Sequence, residues 1–256
     1  WQESVELYPG QKRPAIVICP GGAYAMTSDR EAEAVALRFM SMGYHAVVLR
    51  YSVAPARYPA ALRQLAKTVA LLRENSEKWH IETDKIIVSG FSAGGHLAAS
   101  LGVFWNIPEL KEITGFDNEM IRPDGMILNY PVITSGEFGH QESFRNLLGE
   151  KYEELKDKMS LEYQVTEDTP KTFIWHTFED ETVLLDNTLR FVQALYKRGI
   201  PVEYHVFPQG PHGLGLASEL TANENGRGIV RACEPWSELA GKWLNREFPW
   251  WGGATV

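Results

Sequence analysis

A five-residue segment has the residue types and spacing of a serine nucleophile. Residues 90–94 read Gly-Phe-Ser-Ala-Gly, directly after the apolar run Lys85–Ser89 and at the start of the small-residue stretch Ala93–Phe104. A nucleophile elbow needs this order of strand, sharp turn and helix, because only small residues two positions from the serine avoid clashes in a strained turn. A glycine-rich turn of a nucleotide-binding fold is the alternative. The surrounding strand and helix favour Ser92 as a nucleophile.

A serine hydroxyl needs a base to take its proton, and histidine is the usual one. In folds with this elbow the chain order is serine, acid, histidine. His212 fits this order, because it follows the last predicted strand, Val202–Phe207, in a loop that reaches the same sheet edge as Ser92. We interpret His205, within that strand, and His96, one helical turn after Ser92, as packed side chains. The other histidines come before the acidic segment: His45, His80, His140 and His176.

The acid is expected after the strand Thr172–Trp175, where several carboxylates compete. They are Glu179, Asp180, Glu181 and, further on, Asp186. Asp180 is favoured, because it lies in the loop before the next helix and its carboxylate can reach across to the histidine. The two glutamates are interpreted as solvated, and Asp186 as a helix residue that points away. A charge that stabilises a helix N-terminus is the alternative role for each of them.

Acyl transfer also requires donors for a developing oxyanion. Residues 20–24 read Pro-Gly-Gly-Ala-Tyr after the strand Ala15–Cys19, and paired glycines let a backbone approach a substrate closely. We expect the N–H groups of Gly22, Ala23 and Ala93 to form an oxyanion hole, in which each donor is worth about 3–4 kcal/mol. A plain turn after a strand is the alternative.

These side chains must be positioned by an alternation of strands and helices. The predicted strands are Ala15–Cys19, Ala46–Leu49, Lys85–Ser89, Gly125–Asn129, Thr172–Trp175 and Val202–Phe207. The predicted helices are Glu31–Met42, Pro59–Trp79, Ala93–Phe104, Thr182–Lys197 and Trp236–Glu247. This pattern is typical of the α/β class, with a mostly parallel central sheet and helices on both faces. Ser4–Tyr8 alternates polar and apolar residues and could add an antiparallel edge strand.

One polar segment, 131–170, breaks the alternation. It contains two short helical patterns, Glu142–Leu148 and Tyr152–Met159. Because it follows the carboxyl end of a strand, where α/β sheets bind ligands, we expect a small cap insertion over the site. A surface excursion without a role is the alternative. No linker is visible, so residues 1–256 are predicted to form a single domain.

Composition excludes several classes of function. With 25 basic and 33 acidic residues the net charge is −8, which disfavours nucleic acid as a partner. No apolar run is long enough to cross a membrane. No zinc-binding motif or His/Cys cluster is present, so neither a metal nor another cofactor is expected. Cys19 is predicted to be a buried thiol, and nothing argues for a disulfide with Cys233.

Together the motifs resemble the α/β-hydrolase superfamily and, more narrowly, small bacterial acetyl-xylan esterases and feruloyl-esterase-like carbohydrate esterases. They are Cys-Pro-Gly-Gly-Ala-Tyr at 19–24, Leu-Arg-Tyr-Ser at 49–52, Gly-Phe-Ser-Ala-Gly-Gly-His at 90–96, His-Thr-Phe-Glu-Asp at 176–180 and Gly-Pro-His-Gly at 210–213. The resemblance implies a Ser92–His212–Asp180 triad and the three oxyanion donors above. It departs at Pro20, where lipase-like relatives have histidine, at Ala23, where many have a third glycine, and at Val183-Leu184, where Val-Pro often follows the acid.

The resemblance implies removal of short acyl groups, acetyl above all, from carbohydrates such as xylo-oligosaccharides. Feruloyl or general short-chain ester hydrolysis is the alternative, and a lipase, a peptidase or a carbon–carbon hydrolase would use the same fold. A non-catalytic binding module would normally have lost part of the triad. A homo-oligomer and a cytoplasmic, bacterial location are further expectations. Trp250-Trp251 could cover a partner subunit, and simple packing within the chain is the alternative. The chain starts at Trp1, so a trimmed leader remains open.

Overall fold

A computed structural model describes residues 10–251 and places a six-stranded, wholly parallel sheet at the centre. The strands are β1 Arg13–Cys19, β2 His45–Val48, β3 Ile81–Phe91, β4 Gly125–Asn129, β5 Thr172–Thr177 and β6 Val202–Phe207. Their order across the sheet is β2-β1-β3-β4-β5-β6. The six strands predicted from the apolar runs are all present. The edge strand predicted for Ser4–Tyr8 lies outside the described residues.

Helices cover both faces of this sheet. They are α1 Glu33–Ser41, α2 Ala60–Glu74, α3 Ser76–Trp79, α4 Ala93–Phe104, α5 Pro108–Thr114, α6 Asn118–Ile121, α7 Gln141–Leu148, α8 Tyr152–Leu155, α9 Asp186–Lys197 and α10 Trp236–Glu247. Helices α2, α4 and α9 pack on one face, and α1 and α10 on the other. The sequence predicts this two-sided arrangement, because a parallel sheet must be buried on both faces.

Strand side chains explain why both faces are covered. Successive side chains of a strand point to opposite faces. In β1, Val17 and Cys19 join the apolar cluster that contains α4, whereas Ile16 and Ile18 join the cluster that contains α10. All seven residues of β1 are buried, and those after Arg13 form a continuous apolar run rather than an alternation.

Two predicted helices begin or break differently from the sequence pattern. The pattern Glu31–Met42 begins as a short 3-10 helix, Asp29–Glu31, before α1. The pattern Pro59–Trp79 breaks at Asn75, whose side-chain amide donates to the Leu71 carbonyl at 2.8 Å. Asparagine favours such helix ends because its side chain competes for backbone hydrogen bonds.

The helix predicted at Thr182 begins four residues later, at Asp186. The carboxylate of Asp180 accepts the N–H groups of Thr182 and Val183 at 3.0 and 2.9 Å. These bonds hold the segment in a turn around the carboxylate, because an aspartate side chain offers the backbone an alternative to the helix.

The insertion at 131–170 packs on the α4 face of the sheet. It contains α7 and α8, and α8 ends at Leu155, earlier than the predicted Met159. Its apolar side chains, including Phe144, Leu147 and Leu161, are buried in the cluster that contains α4. The insertion therefore contacts the core through these apolar side chains.

The described residues show no helix long and apolar enough to cross a bilayer. Cys19 and Cys233 are both buried and unpaired with each other. Burial raises the pKa of the Cys19 thiol far above its ordinary value and that of Cys233 to about 12.

Candidate active site

Ser92 lies in a sharp turn between the end of β3 and the start of α4. Its backbone has φ 54° and ψ −121°, a conformation that a residue with a side chain rarely adopts. The flanking glycines make the turn possible. A Cβ at Gly90 would lie 2.0 Å from the Gly94 oxygen, and one at Gly94 would lie 2.1 Å from the Cys19 oxygen. The predicted elbow is therefore present, and its sequence follows from this crowding.

His212 contacts both other residues of the predicted triad. Its Nδ1 lies 2.6 Å from Asp180 Oδ2, and its Nε2 lies 2.7 Å from Ser92 Oγ. Because a carboxylate only accepts, Nδ1 must carry the proton, and Nε2 is then free to accept the Ser92 hydroxyl. Ser92 and Asp180 are 8% and 3% exposed. The structure thus brings together the three residues that the chain order predicts.

All three residues lie at one edge of the sheet because each follows the carboxyl end of a parallel strand. Ser92 follows β3, Asp180 lies in the loop after β5, and His212 lies in the loop after β6. The carboxylate of Glu179 accepts the Gly210 N–H at 3.2 Å and so ties the acid loop to the histidine loop. Glu179 is exposed, as predicted, but it has this structural role as well.

The other candidate acids lie elsewhere. Asp186 is the first residue of α9, and Glu181 is exposed. His205 lies on β6, where its ring contacts Glu203 at 2.9 Å. Among the hydrogen bonds of residues 10–251, none joins Asp186, Glu181 or His205 to Ser92, which agrees with the sequence argument.

A second histidine, which the chain-order argument sets aside, contacts the acid. His176 Nε2 lies 3.2 Å from Asp180 Oδ2 and 2.8 Å from the Val183 carbonyl oxygen. Both acceptors lack hydrogens, so Nε2 donates. Burial acts to raise the pKa of Asp180, but the hydrogen bonds from His176 and His212 more than offset it and hold that pKa well below its ordinary value. The four-residue spacing from His176 to Asp180 is the feature of the sequence from which this contact could have been predicted.

The turn at 20–24 lies against Ser92, since a Cβ at Gly21 would lie 2.9 Å from Ser92 Cβ. The Gly22 carbonyl accepts the N–H groups of Ala25 and Met26. In a trans peptide the N–H points opposite to the carbonyl. Because the Gly22 carbonyl points into the turn, the Ala23 N–H of the same peptide points away from it. In the part of the chain that the structure describes, the N–H groups of Gly22, Ala23 and Ala93 donate to no other residue.

His96 has more contacts than the packing role expected from its position. It is fully buried, and burial lowers its pKa to about 4. Its Nε2 donates to the Met159 carbonyl at 2.9 Å, and its Nδ1 accepts the Tyr24 hydroxyl at 2.9 Å. His96 thus joins α4 to both the insertion and the turn at 20–24. Asn146 of α7 reaches the same turn by donating to the Ala23 carbonyl at 3.0 Å.

This arrangement can deprotonate a serine hydroxyl and stabilise a negative oxygen beside it. Within residues 10–251 no group of three or more metal-ligating side chains is close enough to hold a metal ion. The contacts among Ser92, His212 and Asp180 fit nucleophilic attack assisted by a histidine base, with backbone N–H groups as donors to the oxyanion.

Comparison with known proteins finds a matching family and several similar proteins. Residues 7–195 match the family BD-FAE. The chain is 38% identical over 218 residues to endo-1,4-beta-xylanase B of Butyrivibrio fibrisolvens, covering 81% of this chain and 33% of that protein. It is 26% identical over 213 residues to an acetylxylan esterase of Xylanibacter ruminicola, covering 80% of this chain and 42% of that protein.

A solved structure extends the similarity to the whole fold. The acetyl ester-xyloside bifunctional hydrolase of Caldicellulosiruptor lactoaceticus superposes with a TM-score of 0.81 and 37% identity, covering 94% of this chain and 85% of that one. The α/β-hydrolase fold that the motifs predict is thereby confirmed. The chain spans less than half the length of the two curated relatives named above.

Proposed function

We propose that the chain, which belongs to the BD-FAE family, is a serine carboxylic-ester hydrolase that removes short acyl groups from carbohydrates. The observation that carries this proposal is the continuous hydrogen-bonded path from Ser92 Oγ through His212 to Asp180, with distances of 2.7 and 2.6 Å. The relatives and the structural neighbour named above are esterases or xylan-related hydrolases, which supports the same class of reaction.

In the first half of the reaction, Ser92 Oγ attacks the ester carbonyl carbon while His212 Nε2 takes the hydroxyl proton. The carbonyl π electrons move onto oxygen and give a tetrahedral oxyanion. When this intermediate collapses, the bond to the sugar oxygen breaks, and His212 returns its proton to that oxygen. The sugar leaves as an alcohol, and the acyl group remains on Ser92.

In the second half, His212 takes a proton from water, whose oxygen attacks the acyl carbon. A second oxyanion forms and collapses, Ser92 leaves with the proton from His212, and the carboxylic acid is released. Asp180 holds the ring of His212 in the tautomer with a proton on Nδ1 and stabilises the charged ring in both halves.

The oxyanion donors in this mechanism are the N–H groups of Gly22, Ala23 and Ala93. Ala93 is the first residue of α4, so its N–H also belongs to the positive end of a helix dipole. Backbone donors that are already in place cost no reorganisation when the charge develops, and removing one donor of this kind typically costs 10²–10³ in kcat.

For the substrate we propose an acetyl ester of a xylose-based oligosaccharide. The insertion buries apolar residues such as Phe144 and Leu147 in the core, so these side chains are not available to a substrate. A long acyl chain gains about 0.8 kcal/mol for each CH₂ that it buries, and these side chains of the insertion offer it no surface for that gain. A neutral sugar also escapes repulsion by a protein with a net charge of −8.

The catalytic assignment is tested by Ser92→Ala, with Ser100→Ala as the matched control. Ser100 is another buried serine of α4, and its hydroxyl bonds to the His96 carbonyl at 2.7 Å. We expect hydrolysis of p-nitrophenyl acetate to fall by several orders of magnitude in folded Ser92→Ala and to persist in Ser100→Ala. Retained activity in folded Ser92→Ala would falsify the proposal.

The substrate class is tested by kcat/KM for p-nitrophenyl acetate, butyrate and octanoate and by acetate release from acetylated xylo-oligosaccharides. We expect acetate to be preferred and the sugar esters to be deacetylated. Higher kcat/KM for methyl ferulate than for the acetyl esters would instead support feruloyl-ester hydrolysis. Preference for octanoate without acetate release from the sugars would indicate a lipase-like enzyme.

A further inference from the structure

A buried carboxylate next to the site has no part in the mechanism above. Glu31 is 4% exposed, and both of its oxygens accept hydrogen bonds. Oε2 accepts the N–H of Gly21 at 2.8 Å, and Oε1 accepts the hydroxyl of Tyr130 at 2.7 Å. Gly21 directly precedes Gly22 and Ala23, whose N–H groups are the proposed oxyanion donors. Glu31 therefore holds the turn that carries these donors.

Tyr130 continues the connection to the loop that carries the base. Its hydroxyl accepts the N–H of Gly215, three residues after His212, at 2.8 Å. Its ring lies edge-on to the ring of His212, with centroids 5.1 Å apart. Burial, and next the charge of Glu31, raise the pKa of Tyr130 well above its ordinary value, so the hydroxyl stays protonated and can donate to Glu31.

The same tyrosine is held beside the nucleophile by its backbone. Its N–H donates to the Trp175 carbonyl at 2.8 Å, and two residues later the Val132 N–H donates to the Ser92 carbonyl at 3.0 Å. Tyr130 has φ 37°, in the left-handed region that a non-glycine residue seldom occupies. These bonds fix where the Tyr130 ring and hydroxyl lie relative to the elbow.

Packing alone gives no reason for this network. A buried polar group is costly unless it is hydrogen-bonded, and apolar residues of similar size often give an equally stable core. Here the bond between Glu31 and Tyr130 is flanked by two others, and each of those ends on a loop that carries catalytic groups: Gly21 on one side and Gly215 on the other.

We infer that Glu31 and Tyr130 are positioning residues that connect the turn at 20–24, the oxyanion turn, to the loop that carries His212. We call this connection the lock. The inference rests on the proposed function and extends it. During reaction His212 Nε2 must face Ser92 Oγ while the N–H groups of Gly22 and Ala23 face the carbonyl oxygen. A misplacement of about 1 Å between such groups can cost about 100-fold in rate. Loss of the lock should therefore lower kcat and leave KM nearly unchanged.

The test uses Tyr130→Phe and Glu31→Gln. Phenylalanine removes the hydroxyl that joins Glu31 to Gly215. Glutamine replaces one of the two Glu31 oxygens by an amide N–H₂, which cannot accept. Either the Gly21 N–H or the Tyr130 hydroxyl then loses its acceptor. We expect each variant to lower kcat for p-nitrophenyl acetate about 10–100-fold with KM changed less than about 3-fold. The double variant should lose less than the product of the two single losses, because both act on one network.

Two control variants separate positioning from general loss of stability. Tyr44 is also a buried tyrosine, and its hydroxyl bonds to Asn245 Oδ1 at 2.8 Å. Tyr44→Phe should lower the melting temperature to a similar extent as Tyr130→Phe and leave kcat unchanged. Glu33, two residues from Glu31, is exposed and paired with Arg50. Glu33→Gln should leave kcat unchanged.

The outcomes distinguish failure of the proposed function from failure of the lock alone. If the wild-type chain shows no hydrolysis that depends on Ser92, the proposed function and the lock both fail. If hydrolysis depends on Ser92 but folded Tyr130→Phe keeps the wild-type kcat, the lock alone is wrong. An equal kcat loss in Tyr130→Phe and Tyr44→Phe would also overturn it. Should Glu31→Gln fail to fold, Tyr130→Phe decides the question, because it deletes only one oxygen atom.

Discussion

Asp180 is the most heavily hydrogen-bonded side chain at the site. Its Oδ2 faces both His212 and His176, and its Oδ1 accepts the N–H groups of Thr182 and Val183. These donors explain how a carboxylate can stay charged in a buried position, because each hydrogen bond favours the ionised form. The same donors fix the direction of the carboxylate and hence the ring plane of His212.

Asp180→Asn should lower kcat roughly 10⁴-fold. The asparagine oxygen can still accept the N–H groups of Thr182 and Val183, which directs the amide N–H₂ toward His212 Nδ1. That nitrogen must then accept, so the proton moves to Nε2, which can no longer take the proton of Ser92. The measurement is kcat for p-nitrophenyl acetate at neutral pH in variants that retain the wild-type fold.

Asp186→Asn is the matched control for this prediction. Asp186 begins α9 and contacts none of the three residues, so the change should cost less than about 1 kcal/mol of helix stabilisation and leave kcat near that of the wild type. A severe loss in Asp186→Asn together with a mild one in Asp180→Asn would reverse the assignment of the acid.

At the scale of elements, the site depends on how closely α4 approaches the end of β1. At Gly94 an added Cβ would lie 2.1 Å from the Cys19 oxygen and 2.4 Å from the Pro20 oxygen. Both of these oxygens are backbone atoms where β1 meets the oxyanion turn, so neither can rotate away. The insertion contacts the same region in two ways. Asn146 donates to the Ala23 carbonyl, and the Met159 carbonyl accepts from His96, which in turn accepts the Tyr24 hydroxyl. The position of this turn is therefore fixed by contacts with α4, with the end of β1 and with the insertion.

Gly94→Ala should lower both stability and activity. Relief of the clash requires a shift of α4 relative to β1, which we expect to cost about 1–3 kcal/mol in the free energy of unfolding. The shift separates the Ala93 N–H from the turn at 20–24, so kcat should fall about 100-fold. Urea denaturation and the kinetics of p-nitrophenyl acetate hydrolysis measure the two effects.

Gly102→Ala, in the same helix, separates the two effects. Its Cβ would lie 2.2 Å from Met126 Sδ, near the end of a flexible side chain rather than against the backbone. We expect a stability change of similar size and an unchanged kcat. If Gly102→Ala lowers kcat as much as Gly94→Ala does, the explanation through the oxyanion turn is incorrect.

At the scale of the whole molecule, His96 should make folding depend on pH. Its pKa in the folded chain is about 4, against about 6.5 for an unperturbed histidine. Between these values the unfolded chain binds a proton that the folded chain does not. The free energy of unfolding should therefore fall as the pH falls from 6.5 toward 4, by about 3 kcal/mol in all from this residue.

His96→Gln should remove this contribution, because glutamine does not titrate. Urea denaturation at intervals between pH 7.5 and 4.5 gives the comparison. The wild-type curve should fall more steeply than that of His96→Gln below pH 6.5, and the two should run parallel above it. Parallel curves over the whole range would show that His96 is not buried in its neutral form.

Local sequence determined the fold class and the three residues that meet at the sheet edge. Apolar runs such as Ala15–Cys19 predict buried strands, because burial on both faces is a property of the run itself. The elbow at 90–94 can be recognised from the sequence because its strand, turn and helix are consecutive along the chain. Gly90 is required by the nearby Gly94 oxygen, whereas Gly94 is required by the backbone of Cys19 and Pro20. Chain order then selects His212 and Asp180, because the acid and the histidine that follow Ser92 in the chain lie in the loops after β5 and β6, at the same sheet edge as the elbow.

The tertiary structure alone decided which further side chains hold these residues in place. His96 binds Tyr24 and Met159 across 72 and 63 residues, and Glu31 binds Tyr130 across 99. No spacing rule connects such partners, since each pair meets only after separate elements pack on the sheet. The start of α9 at Asp186 depends in part on such a contact, because the Asp180 carboxylate is held by His212, 32 residues away, as well as by the nearby His176, and itself holds the preceding turn. A single sequence displays which residues are able to react, but the supporting hydrogen bonds depend on distances that the packed fold creates.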